Sequence, residues 1–174
     1  PIAVVGMHRS GTSLLALMLQ QLGLDLGADL IVGDPQNPDG YGEDQVVVNL
    51  QRRLLQRHCG NNQGWPDWGW SESDNQSPIP LGDPQWGKAA SAYLNQREKS
   101  PGPWGWKDPR TTLLLPHWLR LNPGLRVIGI YRDPWDVVDA LQRVQPPIFL
   151  RHPSWGLQIW QHYNQALADF VEQH

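Results

Sequence analysis

The chain has 174 residues, a net charge of −3 and an apolar fraction of 40%, which is one domain's worth of sequence with enough apolar content for a sizeable core. That charge excludes a general electrostatic attraction to nucleic acid or to an anionic membrane. The one cysteine, Cys59, excludes an intrachain disulfide and a cysteine zinc cluster, and no apolar run approaches membrane-spanning length. No signal-peptide pattern is visible, so the expected location is the cytoplasm, although the chain begins inside a strand and without a methionine.

The first predicted strand covers Ile2–Val5 and ends in Gly6. A tight polar loop follows, and then a helix predicted over Thr12–Leu22 with Leu15, Leu19 and Leu22 on one face. This strand–loop–helix order is the grammar of a phosphate cradle. Gly6 and Gly11 let the backbone curl so that successive N–H groups face an anion, and the helix adds the positive end of its dipole. The loop reads G-x-x-x-x-G-T-S, with Thr12 where a Walker loop carries lysine and Arg9 as the only cation nearby. That replacement argues against an ordinary metal–nucleotide triphosphatase and fits a metal-free site for a ligand with a 5′-phosphate.

Gly23 is the expected stop of the first helix. Residues 25–42 read as loop, punctuated by Asp34-Pro35 and Asn37-Pro38-Asp39-Gly40. A second helix is predicted over Glu43–Arg57 with Val47, Leu50 and Leu54 as its stripe, and residues 58–82, which lack periodicity, as an extended surface loop. Among the ten tryptophans, Trp65, Trp68, Trp70 and Trp86 fall in or near this stretch. They are expected to staple it onto the core, the alternative being aromatic platforms for carbohydrate rings.

A third helix is predicted over Pro84–Arg97 and a short strand over Trp104–Lys107. A helical segment over Thr112–Leu121, perturbed by Pro116, precedes a buried strand over Arg126–Tyr131. Asp133-Pro134 opens a helix to Arg143, Pro146-Pro147 breaks the chain, and a last amphipathic helix spans Ser154–Gln173. Alternating strands and helices imply an α/β, P-loop-type three-layer fold with a central parallel sheet flanked by helices. Right-handed crossovers bring all strand exits to one edge, where ligands bind. The three exits, Gly6–Thr12, Lys107–Arg110 and Arg132, all carry cations.

Four ordered segments carry a family resemblance: Gly6-Met7-His8-Arg9-Ser10-Gly11-Thr12-Ser13, Asn37-Pro38-Asp39-Gly40-Tyr41-Gly42-Glu43, Trp106-Lys107-Asp108-Pro109-Arg110, and Tyr131-Arg132-Asp133-Pro134-Trp135-Asp136-Val137-Val138. Together with Trp160, Tyr163, Asn164 and Leu167 of the last helix, they span nearly the whole chain. The chain resembles the sulfotransferases that use 3′-phosphoadenosine 5′-phosphosulfate, closest to a bacterial branch similar to the tyrosylprotein sulfotransferases. The resemblance implies one sulfotransferase-like domain over residues 1–174, its ends open to truncation. It also implies transfer of a sulfuryl group to an acceptor hydroxyl, on a glycan or small molecule, with no metal.

Two departures accompany it. The family usually places a serine eight residues after the 3′-phosphate arginine, and here that position is Ala140. The missing hydrogen bond is worth about 1–3 kcal/mol, and Arg143, one turn onward, is the candidate to compensate. The chain also stops at His174, before a C-terminal segment that relatives often carry.

Sulfuryl transfer, like phosphoryl transfer, is catalysed mostly by positioning and electrostatics. Arg9 is expected to contact the 5′-phosphate and the departing oxygen with its planar fork. Gly6, His8 and the stretch Ser10, Gly11, Thr12 and Ser13 complete the cradle, with backbone N–H groups and hydroxyls on the 5′-phosphate. Lys107 is expected to stabilise the sulfuryl oxygens, Arg132 to bind the 3′-phosphate, and Glu43 to act as general base. Each has a plainer role available. Arg9 and Lys107 could be solvated, Arg132 could pair with Asp133 or Asp136, and Glu43 could favour a helix start. Arg110 is open between a phosphate and Asp108, and His8 is a rival base with a ligand-contacting or structural role preferred. The other histidines lack metal-ligand spacing. A P-loop kinase or nucleotidase, and an inactive nucleotide- or glycan-binding domain, remain as alternative functions.

Overall fold

The computed structural model describes residues 1–35, 37–59, 64–71, 79–144 and 146–174. Its centre is a parallel sheet of three strands, β1 (Ile2–Gly6), β4 (Gly105–Lys107) and β5 (Arg126–Ile130), in the order β4-β1-β5. Ile2 is paired with Gly105 on one side and Arg126 on the other, and Gly6 with Ile130. Gly105 lies so close to the Ile2 carbonyl that a Cβ there would collide with it, which is why glycine opens β4.

The β1 side chains divide between the two faces. Ala3 and Val5 enter the largest core with helices α2 (Gln45–His58), α3 (Pro84–Arg97) and α4 (Thr111–Leu121). Ile2 packs on the other side with Ala16 of α1 (Thr12–Gln21) and with Leu24 and Leu26. The expected parallel sheet flanked by helices is therefore present. A second core joins Met7 to α5 (Pro134–Val144), α6 (Pro146–Arg151) and α7 (Trp155–Gln173). No helix among the described residues is long and apolar enough to cross a membrane.

Several local expectations need correction. In α1 the buried residues are Thr12 and Ala16, whereas Leu22 is exposed along with Leu14 and Met18; the helix turns its small face to the sheet. Glu43 precedes α2 instead of opening it, because the Asp44 side chain caps the helix by accepting from the Val46 N–H. Strand β5 is an edge strand and only partly buried. Helix α4 runs through Pro116 without a break, the cost of the missing N–H being outweighed by a face that buries Leu114, Leu115 and Trp118. Pro146 begins α6 instead of leaving an irregular break.

The predicted surface loop over residues 58–82 is the largest correction. Residues 60–63 and 72–78 of it lie outside the described residues. Between them, β2 (Gly64–Trp65) and β3 (Trp70–Ser71) form an antiparallel hairpin around a 3-10 turn at Pro66–Trp68. Trp68 and Trp70 are buried in the second core and Trp86 in the first, so these tryptophans do staple the region down.

Candidate active site

The β1–α1 loop is shaped by backbone constraints. Gly6 has φ +137, a Cβ there would collide with the Ile130 carbonyl, and its N–H donates to Thr112 Oγ1 at 2.8 Å. The Ser10 N–H donates to the Met7 carbonyl at 3.1 Å, closing the turn. Arg9, at φ 68, is the only non-glycine residue with positive φ among the described residues, a conformation that costs about 1–2 kcal/mol. Gly11 caps α1 with no side-chain acceptor, so the first-turn N–H groups are left to whatever the loop encloses. The Ser10 hydroxyl is buried there without a partner. Thr12 is buried and Ser13 partly exposed at the start of the helix.

His8 points from the same loop into the protein. Its ring stacks on Trp68 with centroids 3.9 Å apart and meets the edge of Tyr163 at 5.5 Å. Both ring nitrogens are buried without a hydrogen-bond partner. Burial, reinforced by the charges of Arg110, Lys107 and Arg9, holds the imidazole well below its ordinary titration range. It is therefore neutral and a weak base, which favours the ligand-contacting or structural role over that of rival base.

The exit of β4 brings the remaining charges together. Lys107 is buried and its ammonium is ion-paired with Glu43 Oε1. Arg110 Nη1 lies 3.8 Å from Glu43 Oε2 and 2.8 Å from Asp108 Oδ1, so Arg110 makes the pairing with Asp108. Arg110 Nε also donates to the Asp67 carbonyl at 2.8 Å. Glu43 reaches the site because its backbone carbonyl is held by the Ile31 N–H at 2.8 Å, just before α2 begins. Burial raises the Glu43 carboxyl above the usual range despite the opposing charge of Lys107. Tyr41, two residues earlier, donates to Asp34 Oδ2 at 2.7 Å, and burial and that bond push its hydroxyl up to about 12.

At the β5 exit, Arg132 Nη1 donates to the Arg9 carbonyl at 3.1 Å, and its Nε lies 3.4 Å from Asp136 Oδ2. The guanidinium is thus beside the loop and also takes the plainer pairing with Asp136. Ala140 is buried on α5 and offers only a methyl group. Arg143 is exposed and paired with Asp139 at 2.7 Å. The residue expected to compensate for Ala140 is thus engaged along its own helix by an exposed ion pair.

Gln51 is not among the residues singled out from sequence, and Asp108 enters there only as a possible partner of Arg110. Gln51 is fully buried on α2 between Val47, Val48 and Leu54, Leu55; a polar residue inside an apolar stripe was the available signal. Trp68 was visible only as one of many tryptophans.

No curated protein and no solved structure matches the chain. A family model described as "Sulfotransferase family" matches residues 1–174. With that match over the whole length, and a parallel α/β sheet whose loop and cations meet at one edge, the chain belongs to the sulfotransferase family.

Proposed function

We propose that the protein transfers a sulfuryl group from 3′-phosphoadenosine 5′-phosphosulfate to a hydroxyl on a glycan or small-molecule acceptor. The observation that supports this most is the buried Lys107–Glu43 pair at the strand exit next to a loop with Thr12 in place of the Walker lysine. The loop suits an anionic phosphosulfate, since Ser10 Oγ is an orphaned buried hydroxyl and the first turn of α1 is uncapped.

In this reading Glu43 accepts the acceptor's hydroxyl proton, its raised affinity for protons suiting a general base. The acceptor oxygen forms its bond to sulfur as the bond from sulfur to the 5′-phosphate oxygen breaks. Arg9 and the N–H groups of residues 10–13 take up the charge on the departing phosphate, leaving adenosine 3′,5′-bisphosphate. Lys107 neutralises the equatorial sulfuryl oxygens, and Arg132 binds the 3′-phosphate. Gly6 and Gly11 shape the backbone, while Ser10, Thr12 and Ser13 add hydroxyls. Ala140 contributes only shape where relatives carry a serine.

Calorimetry with adenosine 3′,5′-bisphosphate and with ATP tests the donor. Binding of the bisphosphate without magnesium, and tighter than ATP, is expected; no binding of the bisphosphate overturns the reading. Arg9→Ala is expected to abolish nearly all turnover, and Glu43→Gln to lower kcat with little change in KM. Turnover by Glu43→Gln at the wild-type rate would remove Glu43 as the base.

A further inference from the structure

A chain of buried polar contacts runs from the tryptophan core to the candidate base. The Trp118 indole N–H donates to Gln51 Oε1 at 3.1 Å, and Gln51 Nε2 donates to Asp108 Oδ2 at 2.6 Å. Asp108 Oδ1 accepts from both the Arg110 backbone N–H at 3.0 Å and Arg110 Nη1 at 2.8 Å. The same Nη1 stands 3.8 Å from Glu43 Oε2. One guanidinium nitrogen therefore faces two carboxylates and sits closer to Asp108 by a full ångström.

We propose that Asp108, anchored by Gln51, is a positioning residue for the reaction: it holds the Arg110 guanidinium at longer range from Glu43 and leaves the hydrogen bond to that carboxylate to Lys107. The inference rests on the reading of Glu43 as base. A carboxylate gripped by two cations is a poor proton acceptor, because both the charge and the lone pairs are engaged. Asp108 has no exposed surface, so its charge is little screened. Its second oxygen is taken by an amide that is itself fixed by the Trp118 indole, so it cannot turn away from Arg110. The Asp67 carbonyl holds Arg110 Nε from the opposite side. Arg110 is thereby held by three hydrogen bonds, none of them to Glu43.

The charged and titratable groups around Glu43 come from four directions. Lys107, Asp108 and Arg110 belong to the β4 exit, Tyr41 to the loop before α2, and Tyr163 to α7. His8 sits near Lys107 and Arg110 from the β1–α1 loop and is neutral. Both tyrosine hydroxyls are held uncharged, Tyr41 at about 12 and Tyr163 well above its usual range. Within the working pH range the balance at Glu43 thus depends on Lys107, Arg110 and Asp108.

The test reads Glu43 directly, by ¹³C NMR titration of its carboxyl carbon in the whole chain. Asp108→Asn removes an anion and frees Arg110 to move onto Glu43, so the titration midpoint is expected to fall by about one pH unit. Arg110→Gln keeps a donor for Asp108 but removes a cation, so the midpoint is expected to rise. Opposite shifts support the proposal; shifts in the same direction, or none, overturn it. Should Asp108→Asn not fold, the Arg110→Gln titration decides alone, and a midpoint that does not rise overturns the proposal. With the donor present, kcat of Asp108→Asn is expected to drop about tenfold with KM little changed, following the lost proton affinity. Wild-type turnover by Glu43→Gln would instead overturn the base assignment, while the opposite NMR shifts could still stand.

Discussion

The guanidinium of Arg132 donates to the backbone carbonyl of Arg9 over 3.1 Å, joining the exit of β5 to the strained residue of the β1–α1 loop. Under the proposed function Arg132 then has two tasks, gripping a ligand phosphate and holding the peptide that carries Arg9. Adenosine 5′-phosphosulfate, which lacks the 3′-phosphate, separates them. Arg132→Ala is expected to weaken adenosine 3′,5′-bisphosphate about 10- to 100-fold, the loss of a charge-assisted hydrogen bond. Binding of the 5′-phosphosulfate is expected to fall by a few-fold at most, since backbone contacts at residues 6–11 also define the loop. Equal losses for both ligands, measured by calorimetry, would show that Arg132 acts through Arg9 and not on the 3′-phosphate.

The loop itself depends on Gly6. A methyl group there would strike the Ile130 carbonyl, and φ +137 is outside the range of L side chains. Gly6→Ala is expected to destabilise the fold by about 3 kcal/mol or more, since it combines a steric clash with backbone strain. Urea unfolding should show the midpoint drop. A loss under about 1 kcal/mol would mean that the strand ends separate easily, and that the cradle is less rigid than this packing implies.

How far the site was readable from sequence follows from the range of each interaction. The β1–α1 turn is readable because its geometry is local: Gly6, Arg9 and Gly11 lie within six residues, and the glycine conformations are dictated by the turn itself. The helices α3 and α7 were readable from capping and periodicity. The 64–71 hairpin was not, because what orders it is distant: Trp68 against His8, the Tyr163 hydroxyl on the Trp68 carbonyl at 2.8 Å, and the Asp67 side chain against Arg52. The engagement of Lys107 by Glu43, 64 positions away, is equally invisible, although each residue on its own is a site candidate from sequence. The face of α1 that meets the sheet is not readable for a related reason. Leucine spacing gives a helix its stripe but not the neighbour it meets, and the sheet met Ala16 instead of Leu22.

The buried His8 predicts a pH-dependent stability. Its depressed folded-state titration means that, as pH falls below the ordinary imidazole value of 6.5, the unfolded chain takes up a proton that the folded protein refuses. The contribution is complete above pH 6.5 and is lost progressively as pH drops towards the lowered folded value. His117 and His162 are shifted the same way by burial. His8→Phe, which keeps a ring on Trp68, should therefore flatten part of the decline in melting temperature below pH 6.5 and leave the remainder. An unchanged pH profile in His8→Phe would show that the imidazole protonates in the folded protein.

The Lys107–Glu43 pair makes the sharpest prediction, because both partners are buried. Lys107→Met removes the nearest cation and leaves a carboxylate out of water, which typically costs about 3–5 kcal/mol. The loss depends on pH with a definite sign. Burial already raises the Glu43 carboxyl, and without Lys107 it rises further, so the folded protein holds a proton that the unfolded chain releases. Stability of Lys107→Met is therefore expected to fall as pH climbs from the ordinary value of 4.5 through the raised folded value, and to be highest at the acid end of that window. Adding Glu43→Gln should recover most of the loss, because a neutral amide carries a far smaller desolvation cost. Chemical denaturation of the two single variants and the double variant, at pH 5 and pH 8, measures the coupling. Additive losses at pH 8 would mean that the pair is opened to solvent in the folded protein, and that Lys107 is free for the sulfuryl group before any ligand arrives.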